Sequence, residues 1–397
     1  TIFLPLALVG VLMTISSLWD AAIDPFIGHW SDTTRSRWGR RRPFLLFAAP
    51  VAAFSMILLW TPPQNASTTL TAAYFLTILL TFNTAKSLIG IPYDASLPEM
   101  ASSPRELLKL STWKNIFGLL GVLTGALVTA PLFDSNGPAL MGLVVGGIAL
   151  LTIWLSLSSL RETKKSLGDP MPIIESIKTT LKNRQFIYLL LTVLAVQTAY
   201  AMVLANLPFF VTLLLKREEG DVGTFLGILV VVMLISAPIW LWLSKRYSSN
   251  KLMTISLIGL GVAIALSSTV GLLPTIPRTV HGIIALILSG PVLGGYFILA
   301  FAIMGNVVDY DELFTNTRRE AIYYGTFSLA SSIGPALSAL IIPKIFNTFG
   351  YTSANPTGVR VALLVAATLS IIGALIFSNY KLGDTLEESR RNMGIDV

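Results

Sequence analysis

The chain of 397 residues contains no cysteine and only two histidines. Disulfides and thiolate metal sites are thereby excluded, and the redox compartment is left open. Charge is scarce as well: Asp, Glu, Lys and Arg make up 12% of the residues, where a soluble domain carries about 25%. Apolar residues fill the space, 53% of the total, and they come in long runs. This is the pattern of a multi-pass protein embedded in a lipid bilayer. The net charge of +7 does not point to nucleic acid, because the basic residues lie in short clusters between apolar runs, as membrane topology requires. No cleavable signal segment is recognisable, since the first apolar run continues into charged sequence. His29 and His281 lie far apart without carboxylates at metal-ligand spacing. No GxSxG, HExxH or phosphate-binding loop is found, so neither an enzyme nor a resident cofactor is expected.

Runs of ~20 apolar residues are long enough to cross the bilayer core as helix. Eleven are read, over about 2–28, 43–61, 69–92, 110–133, 138–160, 186–215, 224–243, 252–273, 280–306, 322–349 and 360–379. The fold class is therefore an all-α membrane protein. Its most charged connector, "RETKKSLGDPMPIIESIKTTLKNRQ" at 161–185, divides five runs from six. An N-terminal helical bundle over 1–160, a linker over 161–185 and a C-terminal bundle with its tail over 186–397 are expected. One span is expected to be missing before Thr1. Most of the 28 Lys and Arg residues fall in alternate loops, which assigns those loops, the linker and the C-terminus to the cytoplasmic side of an inner or plasma membrane. The halves echo each other: Gly90 to Asp94 and then Arg105-Glu106, against Gly305 to Asp309 and then Arg319-Glu320. Two repeated helical halves are a common architecture of secondary transporters.

Within the first run, "WDAAIDPFIGHWSD" carries Asp20 and Asp24, one helical turn apart and on one face. Counting from Asp32 at ~1.5 Å per residue places them roughly 18 and 12 Å deep. A carboxylate there costs on the order of 3 kcal/mol or more. Two readings meet that cost: a site for a small hard cation, which favours oxygen ligands, or a protonated pair hydrogen-bonded into the bundle. Pro25 frees the Ala21 carbonyl from its usual donor, which adds a further oxygen. Lys86 either snorkels to the headgroups or faces the cavity with Asn83, pairing with Asp20 or Asp24 when the ion leaves.

Charges also gather at the ends of the spans. "SDTTRSRWGRRRPF" holds Asp32, Arg37, Arg40 and Arg41, either as positive-inside anchors or as ion-pairing forks for Asp32 and for helix ends of the other half. Asp94 and Glu99, like Asp309 and Asp311, stand near helix C-termini, where the helix dipole disfavours acids. With Arg105, Arg318 and Arg319 nearby in sequence, they are expected to form an inner gate; solvated loop charge is the alternative.

Three segments carry a resemblance: "WDAAIDPFIGHWSDTTRSRWGRRRPF", "IPYDASLPE" and "VVDYDELFTNTRREAIYYGTF". In sequence and in order they resemble the glycoside–pentoside–hexuronide:cation symporters of the major facilitator superfamily, which include the melibiose permeases. The resemblance implies twelve helices and uptake of a sugar or glycoside with Na+, Li+ or H+ as coupling ion. It also implies that Asp20 and Asp24 are the cation ligands. Melibiose permeases place an acid where Ser103 aligns and a lysine where Ser332 aligns, so the ion and the substrate are not carried over. Lys114 after Trp113 matches a basic residue that follows an aromatic in other members. The resemblance implies that the span expected to be missing before Thr1 is the family's first helix, which contributes sugar contacts.

Sugars present C–H patches and hydroxyls, so aromatic faces beside hydrogen-bonding groups are candidate contacts. Trp19, Trp113, Lys114, Gln197, Tyr200, Asn206 and Tyr296 qualify, and each also suits packing or an interfacial position. The expectation is a monomeric carrier in which two bundles rock about an ion at Asp20 and Asp24. Its rivals are a cation-coupled carrier of an amphiphile such as a lysolipid, and a non-transporting membrane sensor of the same fold.

Overall fold

A computed structural model describes residue 4 and residues 6–63, 66–160, 172–273, 275–315 and 319–393. Every regular element among the described residues is helical. In chain order these are α1 (Leu6–Thr33), α2 (Arg42–Leu59), α3 (Thr68–Met100), α4 (Pro104–Ser159), α5 (Ile173–Lys182) and α6 (Arg184–Phe209). A π-helical turn at Phe210–Leu214 continues α6. There follow α7 (Asp221–Leu243), α8 (Ser249–Ser268), α9 (Arg278–Thr315), α10 (Glu320–Phe349), α11 (Thr357–Phe377) and α12 (Leu386–Met393). Among the described residues, nine helices are long and apolar enough to cross a membrane. The two remaining apolar runs fall on α1 and on the part of α4 before Gly137.

Local chemistry explains where the helices start and stop. Pro43 stands in the first turn of α2, where its missing N–H costs nothing. The Ser67 hydroxyl accepts the Leu70 N–H at 3.3 Å to cap α3, and Ser103 does the same for the Glu106 N–H at 3.3 Å to cap α4. Asn183 caps α6 through the N–H groups of Gln185 and Phe186. Gly137, at φ 80° and ψ 171°, breaks α4 into two helices; L side chains rarely adopt that conformation.

Two helices outrun their apolar stretches. α3 continues through Pro92 and Pro98 to Met100, and α9 continues to Thr315. A proline removes one hydrogen bond and need not end a helix that its neighbours support. Asp94, Glu99, Asp309 and Asp311 are therefore held on helices rather than in loops. Of the linker, residues 161–171 lie outside the described residues, and α5 occupies part of the rest.

Contacts divide the chain into two compact units. The first comprises residues 1–102, 121–180 and 311–332; the second comprises 103–120, 181–310 and 333–397. The units follow contacts rather than chain order. In the first, α3 packs against both α1 and α2, and the Arg42 guanidinium donates to the Leu160 carbonyl. In the second, α11 packs against α6 and α8. The Thr192 hydroxyl donates to the Gly373 carbonyl at 3.3 Å and Ser370 to the Leu257 carbonyl at 2.9 Å. Trp240 donates to the Pro291 carbonyl at 2.7 Å. Such interhelical bonds and close contacts do the work that water expulsion does in soluble cores.

Candidate functional site: a buried carboxylate pair and an ion-pair cluster

The first unit brings α1, α3 and the opening turns of α10 together. Where α1 meets α10, two glycines remove the side chains that would hold the backbones apart. A Cβ at Gly325 would stand 2.5 Å from the Asp24 carbonyl oxygen, and one at Gly28 would collide with the Ala321 carbonyl. This approach carries the Ser328 hydroxyl to Asp24 Oδ2, to which it donates at 2.5 Å. On the α3 side, Lys86 Nζ lies 3.1 Å from Asp20 Oδ2. Trp19 Nε1 donates to the Thr84 hydroxyl at 2.9 Å, and Asn83 donates to the Ser16 hydroxyl.

Asp20 and Asp24 are buried, with 7% and 1% of their surface exposed. The Oδ1 atom of each is buried without a hydrogen-bond partner. Two unsatisfied carboxylate oxygens in an apolar medium are costly. Among the described residues, no group of three or more His, Cys, Asp and Glu is placed to hold a metal ion.

Nearer the basic end of α1, in the same unit, five charged groups condense. Arg40 pairs with Glu99 and, at 2.9 Å, with Glu320. Arg41, wholly buried, pairs with Glu320, with Glu99 at 3.1 Å and with Asp32 at 3.8 Å. It also donates to the Ala95 carbonyl. Asp32 accepts the backbone N–H groups of Ala321 and Ile322 at 3.0 and 2.9 Å. It thus caps the N-terminus of α10, where the helix dipole favours an anion. Asp311 and Arg319 form a separate buried pair at 2.5 Å.

The expected gate residues thus part company. Asp32, Arg40, Arg41 and Glu99 come together, and Arg319 pairs with Asp311. Arg37 is exposed and lies over the Trp38 ring instead, and Arg105 is exposed. Asp94 and Asp309 are half-buried on their helices. Arg318 lies outside the described residues. Sequence reasoning left out Glu320, which, like Glu99, joins both arginines. The signal for it was present: Arg-Glu follows the acidic helix end in both halves, at Arg105-Glu106 and Arg319-Glu320.

The candidate sugar contacts scatter. Trp19 lines a groove of about 590 Å³ between α1, α2 and α3, with Trp30, Phe44, Phe47 and Thr84. In the second unit, Lys114 Nζ sits 3.6 Å from the centre of the Phe301 ring, and Trp113 is half exposed beside Phe117. Gln197 is half-buried with its backbone against Gly334. Tyr200 stands edge-to-face with Phe297. Asn206 and Tyr296 are packed into the interior, each 1% exposed, and Asn206 donates to the Val359 carbonyl at 3.0 Å. Asn206 thereby links α6 to α11, since a buried amide in a bundle is readily satisfied by a neighbouring helix.

A family model described as "MFS/sugar transport protein" matches residues 1–383. The isoprimeverose transporter of Lactiplantibacillus pentosus is 26% identical, over 87% of this chain and 74% of its own length. The sodium-dependent lysophosphatidylcholine symporter 1 of Gallus gallus is 22% identical, over 96% of this chain and 80% of its own. Among solved structures, a major facilitator superfamily proton:xylose symporter superposes with a TM-score of 0.69 at 14% identity, covering 97% of this chain and 89% of that one.

Proposed function

Since the chain belongs to the MFS/sugar transport protein family, we propose that it carries a sugar or glycoside across the membrane, coupled to Na+ or H+, by alternating access. It is a multi-pass membrane transporter. The observation that carries the coupling is the pair of partnerless, buried Oδ1 atoms of Asp20 and Asp24. A cation there neutralises charge that otherwise opposes closing the surrounding cavity, so ion binding favours movement of the loaded carrier. When bound, the ion supplies only positive charge; Asp20 and Asp24 hold it, and Ser328 orients Asp24.

The cluster of Asp32, Arg40, Arg41, Glu99 and Glu320 serves as the gate on the side of the basic loops, which the positive-inside rule makes cytoplasmic. It ties α1, α2 and α3 to the start of α10, so one side of the cycle makes these pairs and the other breaks them. The sugar reading is supported by the relative named for isoprimeverose. A lysolipid remains a second substrate class, favoured by the aromatic, apolar groove beside Trp19 and by the lysophosphatidylcholine symporter relative.

The test is uptake into proteoliposomes, with sugars, glycosides and lysolipids offered in turn, with and without an inward Na+ or H+ gradient. Gradient-driven accumulation is expected for one class and is lost in Asp20→Asn and Asp24→Asn. Undiminished accumulation in both variants overturns the ion site.

A further inference from the structure

The arrangement around Asp20 holds more than a cation site requires. Asp20 is buried, yet its Oδ2 partner Lys86 keeps 57% of its side chain exposed. One end of this pair is therefore packed in and the other is largely uncovered. Asp24, by contrast, meets a neutral donor, the Ser328 hydroxyl. Two carboxylates and one ammonium leave the site with one negative charge in excess. That remainder suits a single monovalent cation.

From this geometry, and resting on the reading of Asp20 and Asp24 as the ion ligands, we propose that Lys86 is a specificity-determining residue: a tethered ammonium that shares Asp20 with the coupling ion and sets how tightly a metal ion binds. A metal ion on Asp20 meets the ammonium, which lies 3.1 Å from the Oδ2 atom of the same carboxylate. At that range two positive charges repel strongly in a partly dry site, so the ion either displaces Lys86 or binds weakly beside it. The uncovered side chain gives Lys86 room to leave Asp20. The protein thus has an internal substitute for the ion. With Lys86 on Asp20, the buried charge is partly compensated even before an ion arrives.

The purified full chain is tested in detergent by following thermal unfolding against NaCl concentration, with choline chloride holding ionic strength constant; a ligand that binds the folded state raises the melting temperature with a midpoint that reports its affinity. Wild type, Lys86→Gln, Lys86→Met and Lys86→Arg are compared, and LiCl is titrated in parallel. The Na+ midpoint is expected to fall by about ten-fold or more in Lys86→Gln and Lys86→Met, and to stay near wild type in Lys86→Arg. Adding Asp24→Asn to Lys86→Gln is expected to abolish the response. A midpoint that depends on Asp20 and Asp24 but is unmoved or weakened in both neutral variants overturns the role of Lys86 and leaves the ion site standing. A response that survives Asp20→Asn and Asp24→Asn overturns the ion site itself. No response to Na+ or Li+ in any variant overturns metal competition at this position. Two neutral replacements of different polarity keep the experiment decisive where one of them fails to fold.

Discussion

Arg41 shows what a single residue contributes to this fold. Its guanidinium is fully buried and reaches Glu99, Glu320 and the Ala95 carbonyl, with Asp32 slightly farther away. Deleting one partner of a buried charge network leaves the others uncompensated, which costs about 3–5 kcal/mol. Arg41→Ala is therefore expected to lower the detergent melting temperature sharply. Arg37→Ala, at an exposed position, should leave it nearly unchanged. Asp32 acts through two backbone N–H groups, and losing such a cap costs about 0.5–2 kcal/mol. Asp32→Ala should fall between those two variants in the same assay. At this scale the sequence was partly legible. Two carboxylates at i and i+4 amid apolar residues stand out whatever surrounds them, because their cost in lipid has to be met by an ion, a proton or hydrogen bonds. Glu320 was not singled out, since its neighbours Arg40 and Arg41 lie some 280 positions away in the chain.

At the scale of elements, the seam between α1 and α10 decides whether the carboxylate pair exists in its present form. It depends on backbone-to-backbone approach at Gly28 and Gly325, and small residues are what permit such approach between membrane helices. Gly325→Val is expected to force the helices apart at an overpacking cost of about 1–3 kcal/mol and to pull Ser328 from Asp24. The reading is gradient-driven uptake, which should collapse while the protein still purifies as a folded species. Gly90→Ala is the control, because a Cβ there meets nothing within 4 Å. Helix identity was easy to read, since apolar runs of spanning length have one outcome in lipid. Helix ends were harder. α3 and α9 overran the apolar signal because backbone hydrogen bonding continues past the hydrophobic edge, and that overrun places Glu99 and Asp311 where arginines reach them.

For the whole molecule, the absence of cysteine becomes an experimental advantage. Ser36→Cys, in the arginine-rich loop after α1, and Thr352→Cys, in the loop after α10, are both exposed positions. A membrane-impermeant thiol reagent applied to intact cells is expected to label Thr352→Cys and to spare Ser36→Cys until the membrane is opened. The reverse pattern would invert the orientation drawn from the basic loops. The division of the chain into units was the least legible feature. A charged connector at 161–185 marks a boundary in sequence, but compactness assigns residues 311–332 to the unit of α1 to α3, and 103–120 to the unit of α6 to α11.

The sequence by itself determined that this chain lives in a bilayer, that it is helical, and that the cost of burying Asp20 and Asp24 must be met by some partner. Those conclusions follow from the cost of exposing polar groups to hydrocarbon, which depends on residue type and spacing alone. Tertiary structure decided which partner each charge received: Lys86 for Asp20, Ser328 for Asp24, and Glu320 for the paired arginines. Those choices depend on how close two backbones come, and closeness between distant segments is set by packing, which no local pattern encodes.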